Sequence, residues 1–208
     1  MPSVAAFFDL DHTVLSASST SLWAHYQRRK GRISRAQMAR LAWWTLRYKL
    51  AMIDMAAVVR LFVADMAGQS EADLIAQCDI WFREMVAPCI APRARARIEE
   101  HLAQGHTVAL LTASSPYVTA PVAASLGLGD SYICTRMEVD GGRFTGKVHW
   151  ARIFAEERGL DLNASYFYTD SYTDLAMLEA VAHPVAVNPD ARLRRHAHRR
   201  GWPVEQFF

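Results

Sequence analysis

The chain contains several short, largely apolar runs, and each of them ends in a cluster of polar residues. The runs cover residues 4–8, 107–111, 165–168 and 184–187. Because the apolar residues follow one another without alternation, the runs are typical of strands buried on both faces of a parallel sheet. Segments with helical character separate them. The pattern therefore predicts an α/β fold in which helices flank a parallel sheet.

The segments between the runs carry the Gly and Pro residues that mark the ends of helices and turns. They predict helices over residues 93–104, 116–126, 147–158 and 175–182, and a basic helix over residues 192–200. A short strand is predicted at residues 132–134. Residues 137–146, with Gly141-Gly142 near their centre, predict a hairpin. In this prediction Lys147 is the first residue of the helix 147–158.

Residues 16–89 are rich in Ala, Leu, Met, Trp and Arg, and they predict a set of helices inserted after the first strand. Ser34 with Gln37, and Ser70 with Asp73, have the spacing of capping boxes at helix starts. We therefore expect a core formed by residues 1–15 and 90–208, with a helical subdomain between its two parts.

Composition narrows the classes of function. The 208 residues are 51% hydrophobic and carry a formal net charge of +2, and no dense basic and aromatic block suggests a nucleic-acid partner. Three widely spaced cysteines fit neither a zinc cluster nor a disulfide framework, so free thiols in a reducing cytosol are expected. Residues 41–64 are the most lipid-like stretch, but their four charged side chains argue against an integral membrane segment. A cytoplasmic location follows as the expectation.

The insert has an unusual distribution of charge. No Asp or Glu occurs between Asp11 and Asp54, whereas eight Arg and Lys residues do. Such a surface could draw an anionic ligand, or its tryptophans could make weak contact with an anionic membrane surface. A solvated helical face is the simpler interpretation of the same residues.

Polar residues at the ends of the strands are the candidate chemistry. Asp9 and Asp11 follow the first strand, Thr112, Ala113 and Ser114 follow the second, and Asp170 and Asp174 follow the third. Ligands bind at the carboxyl edge of open α/β sheets, and close carboxylates repel unless a cation such as Mg²⁺ lies between them. Hydroxyl and backbone N–H groups before a helix suit a phosphate. Taken alone, Asp9 could instead cap a helix and Asp11 could belong to a turn.

Taken together and in this order, the motifs resemble the haloacid dehalogenase-like hydrolase superfamily. The matching residues are Asp9-x-Asp11-x-Thr13, Thr112 after an apolar strand, Lys147, and Asp170-x-x-x-Asp174. The helical insert directly after the first motif resembles the subgroup of phosphoserine phosphatases and histidinol-phosphate phosphatases. The resemblance implies a Rossmann-like, doubly wound sheet with an α-helical cap, and it covers nearly the whole chain.

The resemblance also implies a role for each residue. Asp9 would be the nucleophile that forms an aspartyl-phosphate, and Asp11 would be the general acid and base. Mg²⁺ would be bound by Asp9, Asp11 and Asp170, with Asp174 in support, where the ligand from Asp11 is its backbone carbonyl. Thr112, Ala113 and Ser114 would bind the phosphate, and Lys147 would be a catalytic residue that places a positive charge beside both the nucleophile and the phosphate.

The expected substrate is a small phosphorylated metabolite. Phosphoserine phosphatases carry an acidic residue for the substrate ammonium where this chain has Ser18, which places phosphoserine below other phosphomonoesters. Relatives of the histidinol-phosphate branch often carry acids here too, so Ser18 and Thr20 count against any amine-bearing substrate, and histidinol phosphate stays the leading candidate. A lysophospholipid or lipid-phosphate phosphatase is an alternative suggested by the basic insert. A phosphate-ester-binding protein without turnover is another.

Overall fold

The computed structural model describes residues 4–40, 43, 66–149 and 161–208. Its main sheet has six strands in the order β3-β2-β1-β6-β7-β8, and every pair within it is parallel. These strands are β1 (Ala5–Phe8), β2 (Thr107–Leu111), β3 (Tyr132–Ile133), β6 (Tyr166–Thr169), β7 (His183–Val187) and β8 (Val204–Glu205), while β4 (Arg136–Asp140) and β5 (Arg143–His149) form a separate antiparallel pair. The predicted parallel sheet is confirmed.

Helices pack on both faces of this sheet, as in a doubly wound fold. The labelled helices are α1 (Ser19–Arg29), α2 (Glu71–Trp81), α3 (Pro92–Ala103), α4 (Pro116–Ser125), α5 (Leu175–Ala180) and α6 (Ala191–Arg200). Residues 35–40 are also helical. Pro92 and Pro116 occupy the first turns of α3 and α4, where a missing N–H costs nothing.

Alternate residues of the strands supply two separate apolar layers. On one face Phe8 and Leu110 pack in the cluster that includes Ile98 of α3, and on the other Phe7 and Phe167 pack with residues of α5 and α6. All four residues of β1 are buried. The absence of polar alternation in the sequence thus reflects a strand that is covered on both sides.

The hairpin predicted at residues 137–146 is confirmed, and it is longer than expected. Its strands β4 and β5 turn at Gly141 and Gly142, both of which have positive φ, a backbone conformation that glycine adopts without strain. The prediction that Lys147 begins a helix is wrong, because Lys147 lies within β5. Pairing with β4 continues to the end of β5 and fixes these residues as strand. Residues 150–158 of the predicted helix lie outside the described residues.

The two ends of the helical insert meet beside the core. Leu15 forms an antiparallel bridge with Ile90, and the Ser16 N–H donates to the Cys89 carbonyl over 2.8 Å. Within the insert both predicted helix caps are present. The Ser34 hydroxyl accepts from the Gln37 N–H, and the Ser70 hydroxyl accepts from the Asp73 N–H.

The three cysteines are free, as expected, and two of them are buried. Among the described residues, no helix is both long and apolar enough to cross a membrane.

Candidate active site

The carboxyl ends of β1 and β6 lie side by side in the middle of the sheet. The chain continues from β1 toward β2 on one side, while β6 starts the other half, so this is the point where the strand order reverses. Asp9 directly follows β1, and its N–H donates to the carbonyl of Tyr168 in β6 over 2.9 Å. Asp170 directly follows β6. The topology therefore brings together two carboxylates that are far apart in the sequence, at the usual ligand position of such sheets.

The charges of five carboxylates interact at this edge. Burial, followed by the charges of Asp174 and Asp170, raises the pKa of Asp9 well above its ordinary value, and Asp11 adds to this effect. Burial, with the charges of Asp174 and Asp190, raises the pKa of Asp170 to about 7. A cluster of this kind stabilises either a shared proton or a bound cation.

Asp174 is oriented by its own strand end. The Thr169 hydroxyl donates to a carboxylate oxygen of Asp174 over 2.6 Å, and it also accepts from the Ser171 N–H. Burial raises the pKa of Asp174, and the bond from Thr169 lowers it. Thr169 is fully buried, so its hydroxyl holds the Asp174 carboxylate from the protein interior.

Asp11 is held by the first turn of α1. The Ser19 N–H donates to Asp11 Oδ1 over 2.9 Å, and the Ser19 hydroxyl donates to Oδ2 over 3.0 Å. The Ser18 hydroxyl is a third donor at 3.4 Å. Burial raises the pKa of Asp11, whereas these bonds favour its ionised form and lower it.

The loop after β2 reaches the same group of residues. The Thr112 hydroxyl accepts from the Ser114 N–H over 3.1 Å, which closes a tight turn ahead of α4. The Ser114 hydroxyl lies 3.2 Å from the Ser19 hydroxyl. Ala113, between Thr112 and Ser114 in the chain, is exposed. The structure therefore brings the predicted phosphate loop next to the residues that hold Asp11.

Lys147, the predicted cation of this site, lies on β5. Its side chain is 75% exposed on β5, and its ammonium lies 3.6 Å from a carboxylate oxygen of Glu138. The charges that shift the pKa of Asp9 come from other carboxylates. The catalytic role implied for Lys147 stays a prediction.

The donor set suits Mg²⁺ in type and number. Mg²⁺ is usually bound by one or two carboxylates together with waters and substrate phosphate, so Asp9, Asp170 and the Asp11 carbonyl would suffice. Mutual repulsion among the acids at this edge fits the same ion. Within the described ranges, no three His, Cys, Asp or Glu side chains surround a common point as a fully preformed metal site would.

The sequence did not predict the roles of several residues that support the site. Ser19 and Thr169 orient acids, but isolated hydroxyl residues are common at helix starts, as at Ser19, and at strand ends, as at Thr169, and they carry no distinctive signal. Asn188 donates through its amide to the carbonyl of His12, and both residues have positive φ. These contacts join loops that follow β1 and β7, and sequence spacing does not indicate them.

Fold and site together define a Rossmann-like α/β hydrolase with an acidic centre at the carboxyl edge of its sheet. The haloacid dehalogenase-like hydrolase family matches residues 6–179. The chain belongs to this family, which confirms the resemblance of its motifs.

Curated relatives include phosphatases. A histidinol-phosphatase of Neisseria meningitidis serogroup C is 30% identical over 218 residues, covering 97% of this chain and 98% of the relative. A phosphoserine phosphatase of Mycobacterium tuberculosis is 34% identical, covering 99% of this chain and 71% of the relative. A solved structure of a Bordetella pertussis protein of unknown function is 32% identical and superposes with a TM-score of 0.88, with full coverage of both chains.

Proposed function

We propose that this protein is an Mg²⁺-dependent phosphomonoester hydrolase that works through an aspartyl-phosphate. The observation that carries the proposal is the meeting of Asp9, Asp11 and Asp170 at the reversal point of the sheet, beside the loop of Thr112 and Ser114. When bound there, Mg²⁺ would neutralise charge on the phosphoryl group and on Asp9.

The residues divide the reaction into two displacements. In the first, a carboxylate oxygen of Asp9 forms a bond to phosphorus, and the bond to the leaving oxygen breaks as that oxygen takes a proton from Asp11. In the second, water attacks phosphorus and gives its proton to Asp11, while the bond to Asp9 breaks and restores its carboxylate. Thr112, Ala113 and Ser114 would donate to the phosphoryl oxygens.

We propose histidinol phosphate as the leading substrate among small phosphorylated metabolites. The histidinol-phosphatase of Neisseria meningitidis matches this chain over almost the full length of both proteins. Ser18 stands where phosphoserine phosphatases carry an acid, and its hydroxyl is directed to Asp11. A neutral hydroxyl provides no charge to balance an ammonium group. This counts against phosphoserine and also against histidinol phosphate, which carries an amine as well, so histidinol phosphate ranks first on its full-length match alone.

The insert of residues 16–89 is proposed to act as a lid over the site. Its described parts touch the core near the phosphate loop, where Ser19 meets Ser114 and the Tyr117 hydroxyl donates to Glu71 over 2.7 Å. Closing a lid of this kind would exclude water and select the leaving group. The free thiols support the proposed cytoplasmic location.

The test is phosphate release from a panel of esters, with and without EDTA, by the wild type and by Asp9→Asn. We expect turnover that is lost in EDTA and restored by excess Mg²⁺, with histidinol phosphate preferred and Asp9→Asn inactive. Near-wild-type turnover of p-nitrophenyl phosphate by Asp9→Asn would exclude the aspartyl-phosphate mechanism. A preference for lysophosphatidate would favour the lipid alternative, and no release from any ester would favour a binding protein.

A further inference from the structure

Ser19 occupies a position between the proposed acid and the proposed phosphate loop. It is the first residue of α1, and only 4% of its surface is exposed. Its backbone N–H and its hydroxyl donate to the two different carboxylate oxygens of Asp11, at 2.9 and 3.0 Å. Two donors on two oxygens fix both the direction and the plane of a carboxylate, which a single bond does not achieve.

The same hydroxyl lies 3.2 Å from that of Ser114. A hydroxyl group can donate one hydrogen bond while it accepts another, so Ser19 can contact both partners at once. Ser114 belongs to the loop proposed to bind the phosphoryl oxygens, and Asp11 must reach the leaving oxygen on the same phosphorus atom. Ser19 therefore connects the proposed acid to the loop that would hold the phosphoryl group.

We infer that Ser19 is a positioning residue for general-acid catalysis, and that it makes the first turn of the insert part of the catalytic apparatus. Its contribution acts through the position of Asp11 and involves no contact with the reacting atoms. Small displacements of a reacting group lower rates strongly. The effect should be largest when the leaving oxygen needs a proton most, that is, for alcohol esters.

This inference rests on the proposed function, and two esters of similar size provide its test. Benzyl phosphate releases a strongly basic alkoxide, whereas p-nitrophenyl phosphate releases a weakly basic phenolate that requires little protonation. The quantity compared is kcat/KM for benzyl phosphate divided by kcat/KM for p-nitrophenyl phosphate. This ratio reports the first displacement alone. We expect Ser19→Ala to lower this ratio about tenfold, in the same direction as Asp11→Asn but by a smaller factor, since general-acid catalysis contributes about 10²–10⁴-fold in total.

Ser21→Ala is the matched control, because Ser21 lies on the same helix and is exposed. It should leave the ratio unchanged. Ser19→Gly, which like Ser19→Ala keeps the backbone N–H and lacks the hydroxyl, should lower the ratio by a similar factor, so that the effect is assigned to the lost hydroxyl and not to the side chain that replaces it. Thermal unfolding verifies that each variant is folded.

The possible outcomes separate the two proposals. If the wild type hydrolyses both esters and neither Ser19 variant changes the ratio, the positioning role is refuted while the proposed function stands. An equal loss on both esters also refutes it, since that result indicates a purely structural role. If the wild type hydrolyses neither ester in the presence of Mg²⁺, the proposed function fails and the role of Ser19 fails with it.

Discussion

His101 is buried at the opposite end of the sheet from the carboxylates, and its protonation should limit stability in acid. Only 4% of the residue is exposed. Its Nε2 lies 2.8 Å from the Tyr168 hydroxyl, and its Nδ1 lies 2.8 Å from Nδ1 of His106. Burial, with smaller contributions from His106 and Arg97, lowers the pKa of His101 from 6.5 to about 4, while Glu100 opposes the shift.

The magnitude follows from this pKa difference. Between about pH 6.5 and pH 4 the unfolded chain binds a proton at His101 that the folded protein does not, so stability is lost as the pH falls. A shift of about 2.5 pKa units corresponds to about 3 kcal/mol once the pH is below both values. Asp170 acts in the opposite direction over an overlapping range, because its pKa is raised in the folded protein to about 7.

A comparison of variants isolates the contribution of His101. Urea unfolding followed by tryptophan fluorescence would give the free energy of unfolding of the wild type and of His101→Gln from about pH 7 to pH 4. Glutamine retains a donor and an acceptor but does not titrate in this range. Any packing lost in the variant changes its free energy of unfolding by the same amount at every pH. On acidification, the free energy of unfolding of the wild type should therefore fall by about 3 kcal/mol relative to that of the variant.

His198→Gln serves as the control, because His198 is exposed on α6 and its replacement should change the free energy of unfolding by less than about 0.5 kcal/mol at each pH. A difference between wild type and His101→Gln that stays constant across the range would show that His101 is not held neutral by burial. The reasoning from its surroundings would then be refuted.

Two further predictions concern Asp190 and Lys147. The Asp190 carboxylate accepts from the N–H groups of Arg192, Leu193 and Tyr172, so Asp190→Ala should lower the free energy of unfolding by about 1–2 kcal/mol, and Asp190→Ser should restore part of it in thermal or urea unfolding; no loss would contradict the capping role. Lys147→Met should lower kcat by about 10²-fold if this lysine supplies the charge implied by the family motif. Loss of the exposed ion pair between Lys147 and Glu138 should lower the free energy of unfolding by less than about 1 kcal/mol. Full activity in the variant would exclude the catalytic role.

Local patterns predicted most of the core elements. The second strand was predicted over residues 107–111 and is observed as β2 (Thr107–Leu111), because buried parallel strands require consecutive apolar residues. The strand β8 (Val204–Glu205) was not predicted. It has only two residues and forms by pairing with β7. No periodicity can be read from so short a segment.

The error at Lys147 has a similar origin. Gly146 before a lysine suggested the end of one element and the start of another, but β4 supplies partners for β5 as far as His149. Phe144 of the same strand is buried against the Tyr117 ring, with centroids 5.8 Å apart. Contacts made across the chain therefore outweighed the local signal.

The sequence by itself determined which chemical groups are available and which of them follow a strand. Asp9, Asp11, Thr112 and Asp170 could be assigned to strand ends because the apolar runs stop immediately before them. Their order also indicated the family, which the match over residues 6–179 confirms.

Only the tertiary structure decided which of these strand ends are neighbours and what orients their side chains. The strand order places Asp9 beside Asp170, and the first turn of the insert places Ser19 against Asp11. Strand order and the docking of a helix depend on packing between segments that are distant in the chain. Such contacts leave no regular spacing in the sequence, because the residues involved are constrained by partners in space and not by their neighbours along the chain.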